Sequence, residues 1–152
     1  MKAIIQRVAY ATVKVDGELK GKTDVGFMVL LGACEGDTAS DADILARKVA
    51  NLRIFRDDED KMNLSLLDIG GGALVISNFT LCADTKKGNR PSFINAMEPI
   101  AAEQMYDYFC ERLSAEGVKS VEKGVFGGDM KVELLNDGPV TIILDTEIWR
   151  KQ

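Results

Sequence analysis

Hydrophobic and polar residues alternate along several short segments of the chain, and this period of two predicts β-strands. Residues 13–16 alternate, Asp16-Gly17 has the composition of a tight turn, and residues 18–23 supply a returning strand. Residues 26–33 form a short apolar run that begins with glycine, which is typical of a buried strand. The first part of the chain is therefore predicted to be a hairpin followed by a buried strand.

Two longer segments have the spacing of amphipathic helices. In residues 40–53, Ser40 is predicted to cap the helix, and three apolar side chains fall on one face: Leu45, Val49 and Leu52. In the second segment Pro99 suits the first helical position and Gly117 marks the end. One side of this second helix is lined by apolar residues: Met105, Phe109 and Leu113.

The rest of the pattern again predicts strands. Glycines 70–72 predict a turn before another buried strand. Residues 130–135 alternate in part, residues 136–139 predict a turn, and residues 140–144 are almost wholly apolar. We therefore expect one domain over residues 1–152 with an α+β fold, in which curved, mostly antiparallel sheets carry two packed helices.

Composition changes this picture mainly through charge. The 152 residues are 46% hydrophobic and 28% charged, which is ordinary for a globular domain, but the formal net charge is −5. A protein that coats long stretches of nucleic acid needs clustered lysine and arginine, so the acidic balance argues against that class. It leaves open a protein that contacts only the end of an RNA.

The chain contains no histidine, and this excludes more chemistry than any other bulk property. Ser-His-Asp and Cys-His mechanisms are removed, and so are metal sites built on imidazole. No spaced cluster of carboxylates stands out either. We expect no required metal and no cofactor, and any hydrolysis must proceed without an imidazole.

The cysteines indicate a reducing compartment. Cys34, Cys82 and Cys110 form no CxxC pair, and an odd number fits no closed disulfide framework. Residues 1–15 carry charges and no long apolar stretch, so we expect no secretory signal. These observations predict three reduced thiols in a cytoplasmic protein.

One segment places hydroxyl and amide groups at the end of a predicted buried strand. Residues 77–81 read Ser-Asn-Phe-Thr-Leu, and strand ends are where functional groups are usually presented. The structural alternative is that Ser77 and Thr80 satisfy local backbone groups as the strand turns. Spacing alone favours this alternative.

Two further segments are open to a functional or a purely structural interpretation. Residues 136–142 include Gly138-Pro139, whose peptide bond could be cis, although a plain turn explains the composition as well. Lys86, Lys87 and Arg90 form a basic loop in an acidic protein and could contact phosphates. A solvated loop would have the same composition.

These segments, taken in order, resemble the D-aminoacyl-tRNA deacylase family, once called D-tyrosyl-tRNA deacylases. The resemblance covers nearly the whole chain and rests on six matching pieces: residues 5–8, 53–55, 61–64, 77–81, 88–93 and 136–142. Each piece is weak alone, but the ordered set is highly specific. The chain departs from the family at Asn78, where the family pattern usually has glutamine, so the amide reaches one methylene less far.

The resemblance implies that the protein hydrolyses the ester of a D-amino acid, or glycine, on the 3′ end of tRNA. It also implies a homodimer in which Gly138-Pro139 is cis and enters the partner subunit's site. Its rigid backbone would collide with an L side chain and leave space for a D side chain. Lys86, Lys87 and Arg90 would contact the tRNA.

The implied catalytic segment is Ser77, Asn78, Phe79 and Thr80, and two mechanisms remain open. The Thr80 hydroxyl could attack the carbonyl and form an acyl-enzyme, or water could attack with help from the ribose 2′-hydroxyl. The absence of histidine favours the second, because threonine is a poor nucleophile without a base. The backbone N–H groups of Phe79 and Thr80 would then be the oxyanion donors.

Two other classes of function compete with this interpretation. A small esterase or amidase acting on free metabolites would need a stronger nucleophile and base than the sequence contains. A dimeric interaction module would use a sheet edge and would turn over no substrate. Activity on a D-aminoacyl ester without RNA would favour the first, and a complete lack of turnover would favour the second.

Overall fold

The computed structural model describes residues 1–150, and it confirms the α+β fold. The strands are β1 (Lys2–Val15), β2 (Glu18–Thr23), β3 (Gly26–Gly32), β4 (Phe55–Arg56), β5 (Met62–Leu64), β6 (Gly72–Ser77), β7 (Val121–Lys123) and β8 (Lys131–Asp145). The helices are α1 (Ala39–Asn51), α2 (Leu66–Ile69) and α3 (Pro99–Ala115), with 3-10 turns at Phe79–Cys82 and Thr146–Trp149. Within the described residues, no helix is long and apolar enough to cross a membrane.

Strand β1 organises the main sheet. One edge of β1 pairs antiparallel with β8, and the other edge pairs antiparallel with β3 and then with β2. Strands β3 and β6 are parallel, as are β6 and β7, so the sheet order is β2-β1-β3-β6-β7 with β8 beside β1. The sheet is therefore mixed, with antiparallel pairing around β1 and parallel pairing beyond β3.

The sheet curls until its far strands meet. The Lys22 N–H of β2 donates a hydrogen bond of 2.8 Å to Glu122 of β7, although these strands are not neighbours in the sheet order. The curl encloses a small core of six buried side chains: Val8, Ala11, Val13, Met28, Leu74 and Ile76. The nearly closed shape follows from the long, continuous β1, whose twist accumulates along 14 residues.

The opposite face of the sheet packs on the helices. Alternate residues of β3 and β6 point to this side, and they meet the apolar faces of α1 and α3 in the larger core. Leu45 and Val49 of α1 are fully buried, as are Phe109 and Leu113 of α3. The period of 3.6 that predicted these helices therefore identified the faces that they bury.

The beginning of α1 corrects one prediction. The N-cap is Thr38 rather than Ser40, and the Asp41 carboxylate accepts a hydrogen bond of 2.8 Å from the Thr38 N–H. Burial raises the pKa of Asp41, but hydrogen bonds from Thr38 and Arg150 outweigh it and lower the pKa to about 2. Ser40 lies exposed in the first turn, because the acidic residue three positions after Thr38 decides the cap.

The C-terminal segment corrects a second prediction. Residues 136–139 do not reverse the chain between two strands, because both halves of β8 run antiparallel to the same strand β1. Thr141 pairs with Gln6 and Asn136 pairs with Val8, so residues 137–140 lie opposite Arg7 alone. The predicted turn is therefore a wide bulge inside one strand.

The cysteines correct a third prediction. Cys34 and Cys82 are paired as a disulfide with their Cα atoms 5.9 Å apart, so the expectation of three reduced thiols is wrong for these two. Their separation of 48 residues hides the contact, which arises because the ends of β3 and β6 are adjacent. Cys110 is the free cysteine of the described residues, and burial raises its pKa to about 12.

The start of the chain is anchored beside this pair. The Met1 ammonium is buried and binds the Asp37 carboxylate and the Thr146 hydroxyl at 2.7 Å each. The second carboxylate oxygen of Asp37 accepts a hydrogen bond of 2.6 Å from the Cys34 N–H. The segment that follows β3 is therefore held in place by a buried ion pair between the Met1 ammonium and the Asp37 carboxylate.

Candidate functional site

The candidate site begins where the parallel strands β3 and β6 end together. Ser77 is the last residue of β6, and the Asn78 N–H donates a hydrogen bond of 2.8 Å to the Leu31 carbonyl of β3. The chain then leaves the sheet through the 3-10 turn Phe79–Cys82, which we call the catalytic turn after the role that the resemblance implies for Phe79 and Thr80. Parallel strands present their carboxyl ends at one edge, so the predicted segment lies where a ligand can reach it.

Asn78 sets the conformation of this turn. Its side-chain oxygen accepts a hydrogen bond of 3.2 Å from the Thr80 N–H and a second, short one from the Thr80 hydroxyl. An asparagine at this position is a good cap because its amide reaches the N–H two residues ahead. The Thr80 side chain is exposed, and its proton is directed to an amide oxygen rather than to a base.

The two backbone donors expected from the resemblance are not equivalent. The Thr80 N–H is occupied by Asn78, so it is not free for a developing oxyanion. The Phe79 N–H is the first of the turn, and it donates to no acceptor within residues 1–150. The geometry therefore leaves Phe79 as the donor that can meet a ligand.

A pocket of about 780 Å³ opens beside the catalytic turn. Ser77, Asn78 and Phe79 line it together with apolar residues of β3, α3, β8 and the segments before α3 and β8, among them Leu31, Met97, Ala102, Phe126 and Val132. This volume lies in the range of pockets that bind small molecules, and the lining is apolar with a few polar groups at one side. Thr80 is not among the lining residues.

Neither carboxylate of the pocket is poised as a general base. Glu98 caps α3, and the backbone N–H groups of Ile100 and Ala101 lower the pKa of its carboxyl. Asp129 forms an ion pair of 3.1 Å with Lys131 at the surface. The pocket can therefore orient a substrate and donate hydrogen bonds, but its own groups are poorly suited to removing a proton.

The basic loop lies next to the mouth of the pocket. A backbone pair between Asp84 and Ser92 closes the loop, and Lys86, Lys87 and Arg90 are exposed. Within residues 1–150 none of these three side chains forms an ion pair, so all three charges are exposed to solvent. The loop contacts the candidate site through Phe93, the residue after Ser92. This contact was not predicted from the sequence.

Phe93 makes that contact. Its ring lies edge-on to Phe79 with the centroids 5.0 Å apart, and both rings remain partly exposed at the mouth. Edge-to-face aromatic pairs are attractive because the positive rim of one ring meets the negative face of the other. Phe93 therefore joins the catalytic turn to the basic loop. The only sequence signal for this is its position at the end of the matched segment 88–93.

The Gly138-Pro139 segment forms a second candidate site. Its peptide bond is cis, and Asp137, Gly138 and Pro139 are exposed at the tip of the β8 bulge. Asn136 closes the base of the bulge, because its side-chain oxygen accepts a hydrogen bond of 3.0 Å from the Val140 N–H. The backbone of the tip is thus displayed outward by contacts within its own strand.

Arg7 fixes the bulge from beneath. Only 4% of Arg7 is exposed, and its guanidinium donates to the Asp137 carbonyl at 2.9 Å and to the Ile54 carbonyl at 2.8 Å. A Cβ on Gly138 would lie 3.1 Å from the same guanidinium and 2.8 Å from Val140 Cγ2. No role for Arg7 was predicted from the sequence. The feature that could have indicated one is a charged residue at a strand position that faces inward.

The two candidate sites lie apart within the chain. Arg7, beneath the bulge, pairs with Phe27 near the start of β3, whereas Asn78 contacts Leu31 near its end. The rise along a strand separates these two positions by on the order of 13 Å. The cavity beside Gly138, of about 390 Å³, shares no lining residue with the pocket beside Ser77.

Among the described residues, no group of three or more histidine, cysteine, aspartate or glutamate side chains could hold a metal ion. Apart from the carboxylates of Glu98, Asp129 and Asp137, the polar groups of the two sites are amides, hydroxyls, backbone N–H groups and the guanidinium groups of Arg7 and Arg56. Such groups orient and polarise a carbonyl compound without a metal.

Comparison with known proteins supplies a reaction for this geometry. Residues 4–145 match the family model described as D-Tyr-tRNA(Tyr) deacylase. A protein of Ruegeria pomeroyi named D-aminoacyl-tRNA deacylase is 58% identical over 145 residues, which cover 95% of this chain and 99% of the relative. A protein of the same name from Phocaeicola vulgatus is 52% identical over 147 residues, which cover 97% and 98%.

Solved structures agree on the fold. A structure of the c-Myc DNA Unwinding Element Binding Protein superposes with a TM-score of 0.90 at 40% identity and covers 95% of this chain and 98% of its own. A probable eukaryotic D-amino acid tRNA deacylase superposes with a TM-score of 0.79 at 17% identity over 94% and 97% of the two chains. The second likeness concerns the fold alone.

Replacing Arg7 with alanine tests whether the buried guanidinium supports the bulge. Two carbonyls lose charged donors, so we expect Arg7→Ala to lower the free energy of unfolding by about 3 kcal/mol in urea denaturation. The control is Arg53→Ala, because exposed Arg53 also donates to a carbonyl, that of Asn63 at 2.9 Å. We expect about 0.5 kcal/mol there, and similar losses for both variants would contradict the role of Arg7.

Proposed function

Because the chain belongs to the D-aminoacyl-tRNA deacylase family, we propose that it hydrolyses the ester bond between a D-amino acid and tRNA. It is thus a hydrolase of aminoacyl-tRNA esters, and the products are the free amino acid and the tRNA. The observation that carries this assignment is the match over nearly the full length of both this chain and its relatives. The pocket beside the catalytic turn is the proposed place of reaction.

The proposed chemistry is attack of water on the ester carbonyl, with the Phe79 N–H as oxyanion donor. Three observations support it. The Phe79 N–H has no acceptor within residues 1–150, the Thr80 hydroxyl is tied to Asn78, and the nearby carboxylate of Glu98 is engaged as a helix cap. Because the carboxylates of the pocket are engaged, the ribose 2′-hydroxyl of the substrate takes the proton of the water while it gives its own proton to the departing 3′-oxygen, or solvent carries the proton between them.

Asn78 takes a positioning role in this proposal. Its shorter amide, in the place of the family's glutamine, caps the Thr80 N–H and leaves that of Phe79 without an acceptor among the described residues. Ser77, at the end of β6, lines the pocket and in this proposal hydrogen-bonds the bound ester. The catalytic segment therefore works mainly through backbone conformation.

We assign the chiral filter to Gly138-Pro139 of a partner subunit. The tip is exposed, it lies on the order of 13 Å along the sheet from its own protomer's turn, and Arg7 holds it firmly. Its carbonyls would face the α-carbon of the substrate, so an L side chain would collide with the backbone and a D side chain would not. Glycine has no side chain and would pass the same filter.

The edge of β8 supports a homodimer. Within the described residues β8 pairs with β1 alone, so its other edge is open along 15 residues. Leu135 and Ile143 on this strand are 53% and 75% exposed, and a long uncovered edge with exposed apolar side chains favours association. A second copy seated there would bury these residues and bring the neighbouring bulge close to the partner.

The basic loop is the proposed contact for the 3′ end of tRNA. Lys86, Lys87 and Arg90 place three unpaired charges beside the mouth of the pocket, and Phe93 adds an exposed ring on which a base could stack. A local patch of this kind suffices in an acidic protein, because only the end of the RNA enters. Charged tRNA is a cytoplasmic substrate, so we place the reaction in the cytoplasm.

The reaction and its selectivity are tested together by deacylation of D-Tyr-tRNA, L-Tyr-tRNA and Gly-tRNA. The D and glycyl esters should be hydrolysed rapidly by the purified protein, while the L ester should decay at its spontaneous rate. Equal loss of the D and L esters would retain the hydrolase and discard the chiral filter. No loss of any ester from a folded dimer would return the chain to the class of interaction modules.

Proline at position 79 tests the oxyanion donor, because it removes the N–H where the first position of a turn tolerates proline. We expect Phe79→Pro to lower kcat on D-Tyr-tRNA by roughly 10²–10³-fold, the usual effect of losing one such donor. Circular dichroism and the thermal midpoint verify the fold.

Two variants serve as controls. Phe79→Ala loses the ring but keeps the N–H, so its kcat should fall far less than that of Phe79→Pro. Thr80→Ala should retain kcat within roughly tenfold, since the hydroxyl is not the nucleophile in this mechanism. If folded Thr80→Ala loses several orders of magnitude while Phe79→Pro is active, the acyl-enzyme mechanism replaces this one.

A heterodimer tests whether the filter acts across the dimer. Phe79→Pro should inactivate the catalytic turn of the subunit that carries it. Pro139→Ala removes the ring that stiffens the tip, so it should allow L-Tyr-tRNA to be hydrolysed. In a heterodimer of the two variants, purified through different tags, one site would combine an intact turn with an intact tip. We therefore expect hydrolysis of the D ester only.

The opposite arrangement gives the opposite result. If each tip served the turn of its own chain, the active turn of the heterodimer would sit beside the Pro139→Ala tip. The L ester would then be hydrolysed as it is by the Pro139→Ala homodimer. The homodimers of the two variants are the controls for each defect.

Charge reversal tests the basic loop. Lys86→Glu with Lys87→Glu should raise KM for D-Tyr-tRNA about tenfold and weaken its dependence on salt, because two phosphate contacts are lost. Lys14→Glu with Lys119→Glu changes the net charge equally at exposed positions outside the loop. An unchanged KM in the first variant, or equal changes in both, would remove the patch from the tRNA-binding surface.

A further inference from the structure

The Cys34–Cys82 disulfide lies beside the candidate active site, because Ala33, next to Cys34, lines the pocket. Cys82 is the last residue of the catalytic turn, three positions after Phe79, and Cys34 follows the end of β3. The disulfide therefore ties the catalytic turn to the segment that leaves the neighbouring strand. Neither cysteine has a role in the chemistry proposed above.

The segment around Cys34 is itself firmly placed. Its N–H is bound by the buried carboxylate of Asp37 at 2.6 Å, and the Glu35 N–H donates to the Asn95 carbonyl at 2.7 Å. The Met97 N–H also donates to the Ala33 carbonyl at 3.1 Å, and Met97 lines the pocket. A bond to Cys34 thus fixes the catalytic turn to a wall of the pocket that several hydrogen bonds hold in place.

The two sulfurs differ in access. Cys82 is 2% exposed, and its sulfur lies 3.4 Å from the Ala33 carbonyl oxygen, an acceptor for the thiol when the bond is open. Cys34 is partly exposed at the end of its strand, where a small reagent can reach it. Cys110, by contrast, is buried, and its raised pKa keeps it in the unreactive thiol form.

We propose that Cys34 and Cys82 form a reversible thiol–disulfide site, in which Cys34 exchanges with small disulfides, Cys82 resolves, and closure stiffens the catalytic turn. The oxidant is a small-molecule disulfide such as that of glutathione. The Cys34 thiolate attacks one of its sulfurs and expels one thiolate, and Cys82 then attacks the Cys34 sulfur and expels the second. Two protein thiols are oxidised, their protons pass to solvent or to the released thiolates, and one disulfide is reduced to two thiols.

Closure should act on both stability and turnover. It constrains a loop of 48 residues in the unfolded chain, which raises the thermal midpoint. It also limits the motion of the turn that presents the Phe79 N–H, so less ordering remains when the ester binds. The effect on turnover rests on the proposed function, whereas the effect on stability does not.

The test equilibrates the full-length protein in buffers with different ratios of reduced to oxidised glutathione. Three quantities are measured at each ratio: cysteines protected from alkylation by mass spectrometry, the thermal midpoint, and kcat/KM on D-Tyr-tRNA. We expect one transition in which two cysteines become protected, Tm rises by at least about 5 °C, and kcat/KM rises roughly two- to fivefold. Cys34→Ser should stay at the reduced values at every ratio.

Cys110→Ala is the matched control, and it should respond to the buffers as the unmodified protein does. The proposal is overturned if Cys34 and Cys82 remain open to alkylation under oxidising conditions, or if they carry glutathione instead of each other. Closure without a change in Tm, or with a higher Tm and unchanged kcat/KM, also overturns it. If no tRNA is hydrolysed in any buffer, the proposed function fails, and the alkylation and Tm results still decide the thiol–disulfide site.

Discussion

The close parallel pairing of β3 and β6 is the constraint on which the rest of the structure depends. Gly26 faces Gly72 at the start of this pair, and a Cβ on Gly26 would lie only 1.9 Å from the Gly72 carbonyl oxygen. Because the two backbones run together from there, Leu31 and Ser77 end side by side. The catalytic turn, the pocket and the disulfide all follow from that shared end, since each joins one strand end to the other.

Both candidate sites are held by side chains that bind backbone groups. Asn78 accepts from the N–H of Thr80, and Arg7 donates to the carbonyl of Asp137. The groups proposed to act on the substrate are then a backbone N–H at Phe79 and the backbone of Gly138-Pro139. A protein without histidine can hydrolyse an activated ester in this way, because fixed dipoles need no proton exchange of their own. Backbone groups also do not depend on rotamers, which suits a filter that accepts many D side chains.

The individual strands and helices could be predicted from the sequence, but the long-range contacts between them could not. The hairpin at Asp16, the buried strand after Gly26 and the helix that begins at Pro99 were found from short-range pattern and turn chemistry, as the structure confirms. The turn predicted over residues 136–139 proved to be a bulge, because the register of β8 against β1 is a long-range property. The same reason hid the Cys34–Cys82 pair, whose sulfurs meet only after β3 and β6 align.

The amino-acid sequence by itself determined the fold class and the family, and it indicated the segments proposed to carry the chemistry, because these reside in ordered motifs and in the absence of histidine. Only the tertiary structure decided that Asn78 occupies the Thr80 N–H, that Arg7 supports the bulge, and that Gly138 lies away from the catalytic turn of the same chain. These are distances between segments remote along the chain. They depend on how twisted strands pair and close, which no local pattern of residues encodes.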